Sequence, residues 1–135
     1  MRNSSHVALG CLLISTLVLT HVEASAQGAA SPSFSRSVQP IFDANCVACH
    51  QPGAAQQGLV LESGVAYANV GKRSTEASMN LIEPGSPDAS YLLRKVNGTH
   101  LKANGQGAQM PLGGALDASD VETIRQWILG GAKNN

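Results

Sequence analysis

The sequence predicts an all-α domain, and three observations indicate it. Apolar residues recur at helical spacing within residues 34–42, 86–96 and 117–129. Capping residues, proline and glycine stand at the ends of these stretches, as they do in helices. No alternation of apolar and polar residues is long enough to indicate a β-strand, and no segment is repeated. The 135 residues allow one domain at most.

The first 26 residues are predicted to be a signal peptide. A basic start precedes an apolar run at residues 7–19, and residues 24–26 have the small-x-small pattern that signal peptidase reads. Cleavage is therefore expected before Gln27, and Cys11 would be lost with the signal. The run is short for a membrane span, although an uncleaved anchor is the alternative. We expect an exported, periplasmic location in a bacterium.

The remaining chain divides into a flexible leader at residues 27–33, a domain at residues 34–132 and a tail at residues 133–135. The leader consists of small residues, Gln and Pro. The full chain has nine basic and nine acidic residues and so a net charge of zero. It has no stripe of basic residues that would suggest nucleic-acid binding. Only two cysteines remain after cleavage, and both lie in one motif.

The first helix is predicted from one apolar stripe formed by Phe34, Val38, Ile41 and Phe42. Pro40 falls inside this stripe. Because proline lacks a backbone donor and crowds the preceding turn, it either opens the regular helix or bends it.

Shorter helices follow in the middle of the chain. Ser63 is expected to cap a brief helix that Gly71 ends, and the polar residues 72–80 are expected to be exposed. Ser86, followed by Pro87, predicts a helix start, and Asn97-Gly98 the end of that helix. Residues 99–114 form a long Gly-rich loop.

The last helix is predicted from Asp117 to Leu129. Asp117 is expected to cap it, and Gly130-Gly131 to terminate it. We expect this helix to cross the first one, with Trp127 near Phe42.

The motif Cys46-Val47-Ala48-Cys49-His50 follows the first helix and is typical of covalent haem attachment. The two thiols add to the vinyl groups of one haem edge, and His50 then offers a nitrogen to the iron. The loop after His50 is expected to supply a carbonyl to the other ring nitrogen. A thioredoxin-like redox pair, half of a zinc site and a structural disulfide are the alternatives.

A second axial ligand would come from Met110, His100 or Met79. Met110 lies in the Gly-rich loop, and Pro111 favours an extended conformation for it, so it can present its thioether without belonging to a packed helix. Met110 is therefore preferred over His100 and Met79.

Several segments together resemble a small single-haem c-type cytochrome of the class I kind. These are residues 38–42 with the Cys-x-x-Cys-His motif, residues 58–61, residues 83–92, Met110-Pro111 and residues 124–132. The resemblance covers about residues 34–132. It implies an all-α fold of about four helices around one haem, with crossed terminal helices. It also implies thioethers from Cys46 and Cys49 and axial ligation by His50 and Met110.

The resemblance implies a carrier of single electrons, not an enzyme, because both axial positions are filled. Membrane-bound or periplasmic redox proteins, met transiently, are the expected partners. A haem-based sensor or small-ligand binder, an exported thiol oxidoreductase and an electron-entry subunit of an enzyme complex are the alternatives. Residues 72–80 depart from the family pattern because they are long and polar.

Overall fold

The computed structural model describes residues 30–135, which form four short α-helices joined by turns and loops. These are α1 (Gln39–Asn45), α2 (Ala66–Val70), α3 (Tyr91–Val96) and α4 (Ala118–Leu129). Within this range the only extended pairing is an isolated bridge between Arg73 and Asn80. The predicted all-α class is therefore confirmed. The predicted signal peptide lies outside the described residues, and no helix among residues 30–135 has the length and apolar character of a membrane span.

A π-helical turn, Phe34–Val38, leads directly into α1. Pro40 lies in the first turn of α1, where its missing N–H breaks no helical hydrogen bond. Pro40 thus opens the regular helix, the first of the two predicted possibilities. All four residues of the predicted apolar stripe are buried in the core.

Helix α4 packs across the π-helical turn rather than across α1 itself. The centroid of the Trp127 ring therefore lies 5.3 Å from that of Phe34 and 6.4 Å from that of Tyr67. The Phe42 ring packs on the Phe34 ring, with 6.1 Å between the two ring centroids. The predicted crossing of the terminal helices is present, but the aromatic rings that pack against Trp127 are those of Phe34 and Tyr67. The Trp127 indole N–H donates to the carbonyl oxygen of Lys133 at 2.9 Å.

The predicted helix beginning at Ser86 is broken in two. Residues Pro87–Ala89 form a 3₁₀ turn, and α3 begins only after Ser90, whose backbone is extended. The fully buried Ser90 hydroxyl donates to the carbonyl oxygen of Ser86 at 3.1 Å and accepts from the amide of Glu83 at 2.8 Å. These local hydrogen bonds stabilise a turn in place of a continuous helix.

One other predicted cap is wrong, a second is found at the predicted position without its hydrogen bond, and the predicted helix ends are confirmed. Val65, not Ser63, precedes the first residue of α2. Asp117 occupies the cap position of α4, but its carboxylate makes no capping hydrogen bond. The helices α2, α3 and α4 are followed by Gly71, Asn97 and Gly130 respectively.

Candidate functional site

A cavity of about 300 Å³ lies between α1, α3, α4 and the loop that precedes α4. Its wall is largely apolar and includes Phe42, Leu59, Leu61, Leu81, Leu92, Val96, Leu116 and Ile124. Cys46, Cys49, His50 and Met110 also lie on this wall. Two distant parts of the chain, the Cys-x-x-Cys-His motif and the Gly-rich loop, thus bring all four predicted site residues to one cavity.

The two cysteines are positioned by the end of α1. The Cys46 amide donates to the carbonyl oxygen of Phe42 at 2.8 Å, and the carbonyl of Cys46 in turn accepts from the amides of Cys49 and His50. The motif therefore winds into a tight turn directly after the helix. Burial raises the pKa of the Cys46 thiol to about 11, whereas Cys49 is exposed.

The ring of His50 has a defined tautomer. Its Nδ1 lies 3.0 Å from the carbonyl oxygen of Leu59. A carbonyl oxygen can only accept, so Nδ1 carries a proton, and in the neutral ring Nε2 keeps a free lone pair. The carbonyl expected from the loop after His50 is supplied by Leu59, just beyond that loop. A histidine held in this way is oriented to ligate a metal through Nε2.

Met110 reaches the cavity from a loop that is tied to the end of α3. Its amide donates to the carbonyl oxygen of Lys95 at 3.2 Å, and the neighbouring Gln109 side chain donates to the carbonyl oxygen of Val96 at 2.7 Å. Pro111 follows Met110 on the cavity wall. The Met110 thioether is therefore the soft ligand that the cavity offers besides the two thiols.

The two other candidate axial ligands do not line the cavity. Met79 is half-buried, and its carbonyl accepts from the amide of Ser74 in the turn at residues 72–81. His100 is 2% exposed, and its Nε2 donates to the carbonyl oxygen of Gly107 at 2.9 Å. Because that nitrogen carries a proton, the buried His100 side chain holds the Gly-rich loop through this hydrogen bond.

Residues 72–80 do not form the wholly exposed segment that their polarity predicts. They fold into a hairpin turn whose residues Ser74, Thr75 and Glu76 line the cavity. Glu76 pairs with Lys95, and the side chains of the two are only 14% and 12% exposed. Residues 72–80 are the segment in which the chain departs from the family pattern. The hairpin turn that they form therefore covers this part of the cavity.

Glu76 is the centre of a charged cluster that the sequence analysis missed. Its Oε2 accepts from the Lys95 ammonium and from the Tyr91 hydroxyl, the latter at 2.8 Å. Burial alone would raise the pKa of Glu76, but the hydrogen bonds from Lys95 and Tyr91 outweigh it and lower the pKa. Burial and the adjacent carboxylate raise the pKa of Tyr91 to about 12. No local sequence signal indicates this cluster, because Glu76 lies 15 residues before Tyr91 and 19 before Lys95.

The residues present fit a covalently attached haem. The cavity offers two thiols, one imidazole nitrogen with a free lone pair and one thioether, all on a wall of aliphatic and aromatic side chains. This is the donor set that c-type haem uses for attachment and for two axial bonds.

Comparison with known proteins agrees with this geometry. The family description "Cytochrome c" matches residues 36–131. The chain belongs to the cytochrome c family. Its members hold haem c covalently, and the domain has a haem-based, electron-carrying role. The four-helix cytochrome c fold found here is thus the fold that the sequence predicts.

One solved structure similar to this cytochrome is hydrazine synthase of Kuenenia stuttgartiensis. The two match with a TM-score of 0.52 and 23% sequence identity, over 75% of this chain and 16% of the other. The cytochrome therefore corresponds to a small part of that longer chain, and the likeness at this identity concerns the fold alone. No curated protein matches the cytochrome significantly.

Proposed function

We propose that this chain is an exported, single-haem c-type cytochrome that carries single electrons between redox partners. The convergence of Cys46, Cys49, His50 and Met110 on one cavity is the observation that carries this proposal. In this proposal Cys46 and Cys49 would hold the haem, each by addition of its thiol to one vinyl group to give a thioether bond. The cavity has a single Cys-x-x-Cys-His motif and would take one haem.

His50 and Met110 are the proposed axial ligands. The Leu59 carbonyl holds the proton of His50 on Nδ1 and so leaves Nε2 for the iron. The soft thioether of Met110 favours the ferrous state, and the apolar wall disfavours the extra charge of the ferric state. When bound, the haem supplies one-electron exchange between ferrous and ferric iron.

This ligand set supports a role as an electron carrier rather than as an enzyme. If His50 and Met110 both bound the iron, no coordination position would be open to a substrate. The role left to the polypeptide is to exclude water, hold the ligands and present the site to other redox proteins. We propose membrane-bound or periplasmic redox proteins as transient partners, met after export and removal of residues 1–26.

The experiment that tests the proposal is an absorption spectrum of protein produced with the haem-attachment machinery. The ferrous α-band of c-type haem and the weak red-end ferric band of a sulfur–iron bond are expected. Met110→Ala should abolish the sulfur band and keep the haem. Met79→Ala is the matched control, because Met79 does not line the cavity, and it should leave the band unchanged.

Other outcomes would contradict the proposal. Survival of the sulfur band in Met110→Ala together with its loss in Met79→Ala would reassign the axial ligand. A strong response of the ferrous wild-type spectrum to carbon monoxide at neutral pH would indicate a ligand-binding sensor. Protein without covalent haem that reduces insulin disulfides would be a thiol oxidoreductase.

A further inference from the structure

The Lys95 side chain joins the two segments that cover the cavity on its polar side. Its ammonium donates to the carboxylate of Glu76 in the hairpin turn and, at 2.6 Å, to the carbonyl oxygen of Gln106 in the Gly-rich loop. Lys95 belongs to α3, so one side chain connects a helix, a turn and a loop. Both members of the ion pair line the cavity and are shielded from solvent.

The backbone of Lys95 holds the same loop at a second point. The last carbonyls of a helix lack partners within the helix. Here the Lys95 carbonyl accepts from the amide of Met110, and the Val96 carbonyl accepts from the side chain of Gln109. Lys95 therefore bonds to the loop four residues before Met110 and again at Met110 itself.

Little room separates the loop from the charged cluster. A Cβ atom added at Gly107 would lie 3.5 Å from the Lys95 ammonium and 3.6 Å from Oε1 of Glu76. The loop backbone thus lies directly on the ion pair. If the Glu76 charge were removed, the ammonium would lose its anion in a poorly solvated place. It would then move toward water and release the Gln106 carbonyl.

We propose that the Lys95–Glu76 ion pair is a positioning device that holds the Met110 thioether against the iron. The proposal rests on the proposed function, because it assumes that Met110 is the axial ligand. The pair acts through the loop: it fixes Gln106 and the end of α3, and these fix the backbone of Met110. Neither Lys95 nor Glu76 is itself an iron ligand.

The test measures how readily imidazole displaces the Met110 sulfur from ferric haem. The displacement is monitored as the loss of the sulfur–iron absorption band. Glu76→Gln keeps the shape and removes the charge, and Lys95→Met keeps the stem and removes the ammonium. Each is expected to raise the affinity for imidazole about tenfold, the effect of losing one charge-assisted hydrogen bond. The double variant should exceed the larger single effect by less than twofold, because both changes break one interaction. Lys95→Arg should stay within threefold of wild type.

Two controls separate positioning from general stability. Glu122→Gln breaks the exposed pair between Glu122 and Arg125 on α4. Ile128→Val loosens a fully buried core residue that does not line the cavity. Both should leave imidazole affinity within twofold of wild type, although Ile128→Val lowers the free energy of unfolding.

A second measurement follows the loop directly. Exchange of the Met110 amide hydrogen with solvent should be about tenfold faster in Glu76→Gln than in wild type, and unchanged in Glu122→Gln. This readout applies to any folded variant, including one that binds imidazole poorly.

The results distinguish the two proposals. One outcome would overturn the positioning role alone. In it, wild type shows the sulfur–iron band, but imidazole affinity and amide exchange in both charge variants equal those of wild type. An equal rise in imidazole affinity in Ile128→Val would overturn it as well. A wild type without the sulfur–iron band would overturn Met110 ligation, and with it the positioning role.

Discussion

Gly105 tests how closely the Met110 loop lies against the charged cluster. The glycine backbone φ is outside the left-handed region, so alanine causes no backbone strain there. A Cβ atom at this position would, however, lie 2.8 Å from the carbonyl oxygen of His100 and closer still to the Tyr91 hydroxyl. Gly105→Ala therefore forces the loop away from the Tyr91 ring, which is 2% exposed and held by its hydrogen bond to Glu76.

The size of the effect of Gly105→Ala is taken relative to a matched control, Gly113→Ala. Gly113 lies further along the same loop, also without a left-handed φ, and a Cβ atom there meets nothing within 4 Å. Both alanine substitutions stiffen the unfolded chain, a stabilising effect of about 0.4–1 kcal/mol. Only Gly105→Ala adds overpacking, which costs about 1–3 kcal/mol. We expect Gly105→Ala to be less stable than Gly113→Ala by about 2 kcal/mol.

The assay is urea unfolding of the haem-loaded protein, with the sulfur–iron band recorded in parallel. Gly105→Ala should lower the urea midpoint and weaken the band, because the displaced loop carries Met110. Gly113→Ala should match wild type or exceed it slightly. Equal midpoints for the two alanine variants would refute the close approach of the loop to Tyr91.

Two further predictions concern stability. Because the pKa of Glu76 is lowered in the folded protein, its stabilising contribution is present above the ordinary carboxyl pKa of about 4.3 and is lost as the pH falls through the folded value. Glu76→Gln should therefore flatten the loss of stability in acid, measured by urea midpoints from about pH 6 to about pH 2; an unchanged slope would contradict the pairing with Lys95. Trp127→Phe removes the hydrogen bond to the Lys133 carbonyl and leaves a gap in the core, so it should cost about 1–3 kcal/mol in the same assay. Leu129→Ala, at a 52% exposed position, should cost less than about 1 kcal/mol, and an equal cost for the two would contradict the packing of Trp127.

Sequence reasoning succeeded where the deciding residues are close together in the chain. The apolar stripe from Phe34 to Phe42 reports one face of one helix, and Gly131, just past the end of α4, adopts the left-handed φ of 94° that glycine favours. The Cys46–His50 motif likewise contains its chemistry within five residues. Met110 lies on the cavity wall in the loop that glycine and proline mark in the sequence.

Sequence reasoning failed where a polar side chain had several possible partners. The Ser90 hydroxyl bonds within a turn and divides a helix that looks continuous from Ser86 onward. Glu76 looks like a solvated residue in a polar stretch, yet it is paired with Lys95 beside the cavity. Nothing near Glu76 in the chain indicates that pairing, which forms only when the loop, the turn and α3 come together.

The most direct test of the account is acid extraction of denatured protein that was produced with the haem-attachment machinery. The account predicts that the colour stays with the polypeptide, that its mass is increased by one haem, and that neither Cys46 nor Cys49 can be alkylated. A colourless polypeptide of unmodified mass, with both thiols open to alkylation, would contradict it.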